Sequence, residues 1–265
     1  MFLDLLIAIF FFLVGLEIRA GLRSLRSAIV PVVAAVGGMV VPVAIFLILN
    51  PNSQVWATSM PTDIALALGT LSLLGKRVSV DVRLFLLTLA IADDLFSLIV
   101  LGLFYGDDLH PAKALSTLGA AAIGLILPLR ANQLSKLIKI LTPISTYFIV
   151  PVIVITNIPL NIDLSSFGSK TTLSLLIARF LGKIIGITLF AWLCIRCGAR
   201  TNISLREIMG VAILAGMGLT VALVIADIVA TTALELNQIR LGLFICAIIS
   251  GICGYMWLRK TPVAQ

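Results

Sequence analysis

Nine predominantly apolar stretches, near residues 2–18, 29–49, 57–75, 84–105, 114–129, 142–160, 172–195, 207–230 and 238–258, recur along this chain with short polar connections between them. A helix rises about 1.5 Å per residue, so roughly 20 residues cross a hydrocarbon core of about 30 Å. Within that core a segment must satisfy its own backbone N–H and C=O groups, which leaves helices for segments of this length. The expected fold is an all-α polytopic membrane protein forming a single membrane domain over 1–265. A composition that is 60% hydrophobic and only 12% charged excludes an ordinary soluble domain. The opening "MFLDLLIAIFFFLVGL" has no basic region ahead of its apolar run and reads as a first spanning helix rather than a cleavable signal peptide.

The basic residues test this division. Arg19, Arg23 and Arg26 follow the first stretch, Lys76, Arg77 and Arg83 the third, and Arg130, Lys136 and Lys139 the fifth. Arg196, Arg200 and Arg206 follow the seventh, and Arg259 and Lys260 the ninth. Fourteen of the 19 therefore fall on one side, against Lys113, Lys170 and Arg240 on the other. The positive-inside rule puts the fourteen in the cytoplasm, the N-terminus outside and the C-terminus inside. The net charge of +7 is distributed as membrane-protein loops distribute it, so no nucleic acid partner is expected. Cys194, Cys197, Cys246 and Cys253 lie in or beside the last apolar segments and read as small helix residues, the "CIRC" spacing at 194–197 included.

Two adjacent acids, Asp93 and Asp94, interrupt "LTLAIADDLFSLIV" near the middle of the fourth stretch. An unpaired carboxylate at the bilayer midplane is costly, and such residues normally mark ion paths or proton relays. A protonated aspartate used for helix packing accounts for one carboxylate better than for two. Neighbouring helix positions point about 100° apart, so one carboxylate can face a cavity and the other a second helix. Lys183, central in the seventh stretch, needs a carboxylate or must lose its proton, and Asp93 or Asp94 is its partner by depth. Arg179, one turn earlier and nearer the outside, is expected to snorkel or to form a local ion pair.

Pro61 removes a backbone donor in "MPTDIALALG", and Thr62 and Asp63 can satisfy the freed groups, so the third helix is expected to break there. "AGMGLT" at 215–220 is a matching glycine-loosened point, although close helix packing also explains such glycines. Paired interrupted segments point to an inverted-repeat transporter with a midplane site, with approximate halves 29–105 and 172–258. Asp4, Asp227 and Glu17 lie near helix ends and are expected to be solvated or locally paired, and His110 to be solvated.

Carboxylates select hard cations, while the sequence has no His/Cys cluster for a soft metal, no nucleophile–base pair and no phosphate loop. The expected substrate is a small cation that competes with a proton for one carboxylate, and competition at an alternately exposed site is exchange. An enzyme is not expected, nor any organic cofactor.

The strings "FFFLVGLEIR" (10–19), "VVAAVGGMVVP" (32–42), "PTDIALALGTLSLLGKRV" (61–78), "FLLTLAIADDL" (85–95), "FLGKIIGITLFAWL" (180–193), "ILAGMGLT" (213–220) and "GYMWLR" (254–259) resemble the NhaA-type sodium/proton antiporters of bacterial inner membranes, a standard example of inverted-repeat transporters. The resemblance runs nearly end to end. It implies two crossing discontinuous helices, one broken at Thr62 and Asp63, the other over Gly216, Gly218 and Thr220. It further implies that Asp94 is the essential carboxylate for sodium, lithium and protons, that Asp93 is its neighbour in the cation site, and that Lys183 is the charge partner of Asp93. In the family the acid and the lysine offset facing helix-end dipoles. Glu17 matches a residue at the cytoplasmic mouth, and a homodimer in the lipid bilayer is among the expected assemblies. Regulation of internal pH and sodium is the implied physiology.

The departures are specific. Family members usually have twelve spans; here the first has no counterpart, and one span stands between "GDDLHPAK" and "LTPISTY" where the family has three. Gly21 stands where the family has an acid, and Arg179 where it has a small or apolar residue. Secondary antiport is the leading expectation; a non-transporting relic and a passive cation channel are the alternatives that loss of whole helices raises.

Overall fold

The structure is a computed structural model that describes residues 2–25, 29–51, 53–105, 115–157 and 164–261. Arg26, His110 and Lys113 lie outside the described residues. Among the described residues every ordered element is helical. Helix α1 covers Phe2–Leu25 and α2 Ile29–Leu49. A tight 3-10 turn at Gln54–Ser59 leads into α3, Ile64–Ser72, and α4 runs over Val80–Tyr105. A wide π turn at Leu115–Gly119 opens α5, Ala120–Ile126. Helix α6, Ala131–Ile144, continues through a second π turn into α7, Val150–Thr156. After the short α8, Leu164–Phe167, come α9 over Lys170–Arg196, α10 over Leu205–Ala215, α11 over Thr220–Val229 and α12 over Ala233–Lys260.

Five stretches, α2, α4, the α6–α7 run, α9 and α12, are long and apolar enough to cross a membrane, and the bent pair α10–α11 makes a sixth. The other three expected spans are modified. Helix α1 has 24 residues, enough length, but carries Asp4, Glu17 and Arg19. The third is interrupted, and the fifth is a short apolar helix, Thr117–Ile126. The sixth starts at Ala131 rather than near 142, so Lys136 and Lys139 ride on the helix instead of in a loop. Both lysines are exposed while Leu134 is buried, so the first turns of α6 are amphipathic and a hydropathy window alone does not see them.

The closest packing is between α2 and α9. A Cβ on Gly37 would run into the carbonyl oxygen of Gly186, and one on Gly186 would strike Gly37 in turn. Gly182 meets Pro42 with the same lack of room, a Cβ there lying 2.7 Å from the proline Cα. Small residues at a membrane-helix crossing let the backbones touch. This crossing fixes the height and rotation of Arg179 and Lys183, which α9 carries.

One end of the bundle is basic. Arg77 donates to the carbonyl of Arg259 (3.4 Å), Trp257 to that of Arg206 (3.0 Å), and Arg83 to that of Gly75 (2.7 Å). On α1, Arg19 reaches the carbonyl of Leu129 (3.1 Å). Elsewhere, Arg240 lies on α12 and not in a loop; it is paired with Asp227 at 3.1 Å and donates to Asn157 at 2.7 Å.

Candidate ion site at two helix breaks

Asp93 and Asp94 project from the middle of α4, 1% and 5% exposed. On α9, Arg179 and Lys183 are one helical turn apart, 0% and 1% exposed. The remaining groups come from the two interruptions. The first spans Met60–Asp63, between the 3-10 turn and α3, where Pro61 cannot donate. The second spans Gly216–Leu219, between α10 and α11, whose axes differ by 46°.

The two breaks are bonded to each other. The Asp63 N–H donates to the Met217 carbonyl (2.8 Å) and the Thr62 hydroxyl to that of Ala215 (3.1 Å). Asp63 then caps two helices at once. Its Oδ1 accepts from the N–H groups of Ala65 (3.1 Å) and Leu66 (3.3 Å) at the start of α3. Its Oδ2 accepts from the N–H (3.2 Å) and hydroxyl (2.8 Å) of Thr220 at the start of α11. An anion at helix N-termini and cations at C-terminal carbonyls match the partial charges of the broken ends.

Lys183 donates to the carbonyl of Met60, to the Thr62 hydroxyl (2.9 Å) and to Oδ2 of Asp93 (3.0 Å). Arg179 does not snorkel, and among the described residues it forms no ion pair. It donates to the carbonyl of Thr58 in the 3-10 turn and to those of Pro61 (2.7 Å) and Gly218 (3.0 Å) at the two breaks. The expectation of snorkelling fails because these carbonyls, unpaired within their own helices, offer a buried cation more than the interface does. Gly218 has to be glycine here, since a Cβ would occupy the space of the guanidinium and of the Pro61 oxygen.

Asp94 differs from Asp93 and Asp63 in that no donor among the described residues holds its carboxylate. Its Oδ1 is buried with no hydrogen-bond partner among the described residues, as are Oδ1 of Asp93 and the hydroxyl of Ser97 one turn on. Asp94 lines a cavity of about 260 Å³ together with Asp63, Thr62, Thr220 and Glu17. Glu17 accepts from the Thr142 hydroxyl at 3.4 Å, so it is locally bonded on the wall of the same cavity. Asp4 also has an interaction, and Asp227 pairs with Arg240. No group of three or more His, Cys, Asp or Glu residues suited to a tightly held metal occurs among the described residues. Sequence reasoning singled out neither Ser97, one turn from Asp94, nor Thr142, which bonds Glu17 on the cavity wall. Ser97 sits three residues after Asp94, a spacing that could have flagged it, whereas Thr142 belongs to a helix whose start was misplaced.

The family model described as Na+/H+ antiporter 1 matches residues 1–134 and 112–258. The overlap at 112–134 falls where the sequence has one span for the family's three. Among similar proteins, the Na(+)/H(+) antiporter NhaA of Salmonella arizonae is 32% identical over 318 residues, covering 97% of this chain and 82% of that protein. The NhaA of Tolumonas auensis is 34% identical, with 97% of this chain and 80% of that protein covered. That of Escherichia coli O1:K1 is 32% identical, with 97% and 82% covered. The chain therefore belongs to the Na+/H+ antiporter 1 family, the family of the NhaA antiporters.

Proposed function

We propose that this protein exchanges sodium or lithium ions for protons across the bacterial inner membrane, with Asp94 holding the cation and the proton by turns. One observation carries this reading: Asp94 is a buried carboxylate that lines a cavity and whose Oδ1 has no donor, while Asp93 and Asp63 are each held by donors. Asp93 is engaged by Lys183 and Asp63 by four donors, so Asp94 is the carboxylate left to bind a hard cation through oxygen. Thr62 and Thr220 add oxygen atoms to the same wall. A carboxylate must release its proton before it coordinates sodium, so the two ions exclude one another and one site serves both directions.

Access from one side at a time is the other requirement. Two halves, 29–105 and 172–258, each with one interrupted helix between long ones, supply the symmetry that alternating access uses. The cavity wall includes α1 from Phe10 to Glu17, the half of that helix that leads to Arg19. With the basic ends of the bundle in the cytoplasm, the N-terminus outside and the C-terminus inside, Glu17 would stand on the cytoplasmic side of this cavity. Exchange in this direction serves the control of internal pH and sodium, and a homodimer is compatible with it.

The test is sodium-dependent proton movement in everted membrane vesicles containing this chain or Asp94→Asn. Saturable exchange that collapses a pH gradient, lost in the variant, supports antiport. An unsaturated current identifies a channel, and no flux in the parent identifies a relic; either result overturns the proposal.

A further inference from the structure

We propose that Arg179 is a positioning residue for the ion site, a clasp that joins the two helix breaks so that the oxygen atoms they carry keep their places around Asp94. The inference rests on the antiport reading for its functional half only. Its structural half rests on the bonding of one side chain.

The Nη1 of Arg179 donates to Thr58, in the first interrupted segment. Its Nη2 donates both to Pro61 of that segment and to Gly218 of the second, so one nitrogen spans the two breaks. A planar guanidinium has donors in a fixed fork and keeps its charge in proteins, whereas an ammonium is a compact point with a shorter reach. Lys183 cannot substitute for Arg179, because it is already occupied by Met60, Thr62 and Asp93. Thr62, which lines the cavity, follows directly after Pro61, and Thr220 lies two residues after Gly218. Arg179 therefore grips the backbone beside each of the two threonines that line the cavity with Asp94, without lining the cavity itself. The absent Cβ of Gly218 is the matching half of the device, since it leaves the space into which the guanidinium fits.

Two variants probe the clasp. Arg179→Lys keeps the charge and loses the span, and Gly218→Ala pushes the guanidinium out of its seat. Hydrogen exchange on the purified full chain reads the breaks directly. Each variant is expected to speed exchange at both 62–66 and 217–220, since freeing one break frees the other, and this readout holds whether or not the chain transports. Faster exchange at one break only, or at neither, overturns the clasp. In vesicles, both variants should raise the sodium concentration for half-maximal exchange on the order of tenfold while the maximal rate stays within about a factor of two. The double variant should be no worse than the more severe single one, because both act on the same contact. Multiplicative effects, or a maximal rate that falls while the half-saturating concentration holds, would also overturn it. Failure of antiport itself shows as absence of exchange in the parent, which the hydrogen-exchange result does not depend on.

Discussion

Breaking the buried pair of Lys183 and Asp93 should cost more than removing it. The two side chains are each 1% exposed and 3.0 Å apart. At that separation, with an effective dielectric constant near 20, their attraction is about 5 to 6 kcal/mol, most of which offsets the cost of taking both charges out of water. Lys183→Met leaves Asp93 with neither oxygen bonded to a side-chain donor, since Oδ1 has no partner already. A loss of about 3 to 5 kcal/mol follows, the range for stranding one buried charge. Asp93→Leu strands the lysine, but Met60 and Thr62 still accept from it, so the loss should be smaller, about 2 to 4 kcal/mol. The double variant removes both charges and leaves only the Met60 carbonyl and the Thr62 hydroxyl short of a donor, about 2 to 3 kcal/mol. A coupling energy of at least about 2 kcal/mol is therefore expected between the two positions. The assay is thermal unfolding of the detergent-purified parent, two singles and double, with the double melting at or above Lys183→Met. Strict additivity of the two single effects would refute the pairing.

Asp63→Ala removes the anion from two helix starts and should cost about 2 to 4 kcal/mol in the same melting assay, twice the usual loss of one cap, with Asp63→Asn recovering part of it. The proposed competition at Asp94 predicts the pH response. As pH falls, the half-saturating sodium concentration should rise, by up to about tenfold per unit once the proton holds the site, while the rate at saturating sodium stays level. Exchange measured across pH at low and saturating sodium checks this, and a steep shut-off that persists at saturation would show a separate sensor. Asp227→Asn should change the melting temperature little, since the pair with Arg240 is 26% and 19% exposed and pairs of that kind contribute about 1 kcal/mol or less.

The spans and the unusual charges were legible because both are local facts. An apolar window reports a helix, and an aspartate pair inside it is anomalous wherever the helix goes. Pro61 and the glycines at 216 and 218 likewise announce a break from their own chemistry. Arg179 was misread for the opposite reason. Its partners are carbonyls that become available only when two segments more than 150 residues apart in sequence are brought together, as the bond from Thr62 to Ala215 records. No periodicity foretells that. The double capping by Asp63 was half legible: a cap for its own helix follows from its place before Ile64, but Thr220 enters only through the fold. The start of α6 is not legible because Lys136 and Lys139 dilute the apolar signal, although the helix carries both on its exposed side.

The contact between Gly37 and Gly186 bears on motion as well as on packing. Main chain rests on main chain at that point, with the side chains of Val41, Ile187 and Phe190 packed close around it, so little room is left for one helix to slide past the other. The pair therefore behaves as a stiff spine. On the proposed exchange, a movement that turns Asp94 from one face of the membrane to the other carries both helices together, with the slip taken up at seams against their surroundings. Spin labels placed on these two helices should keep a constant separation whatever the ion conditions.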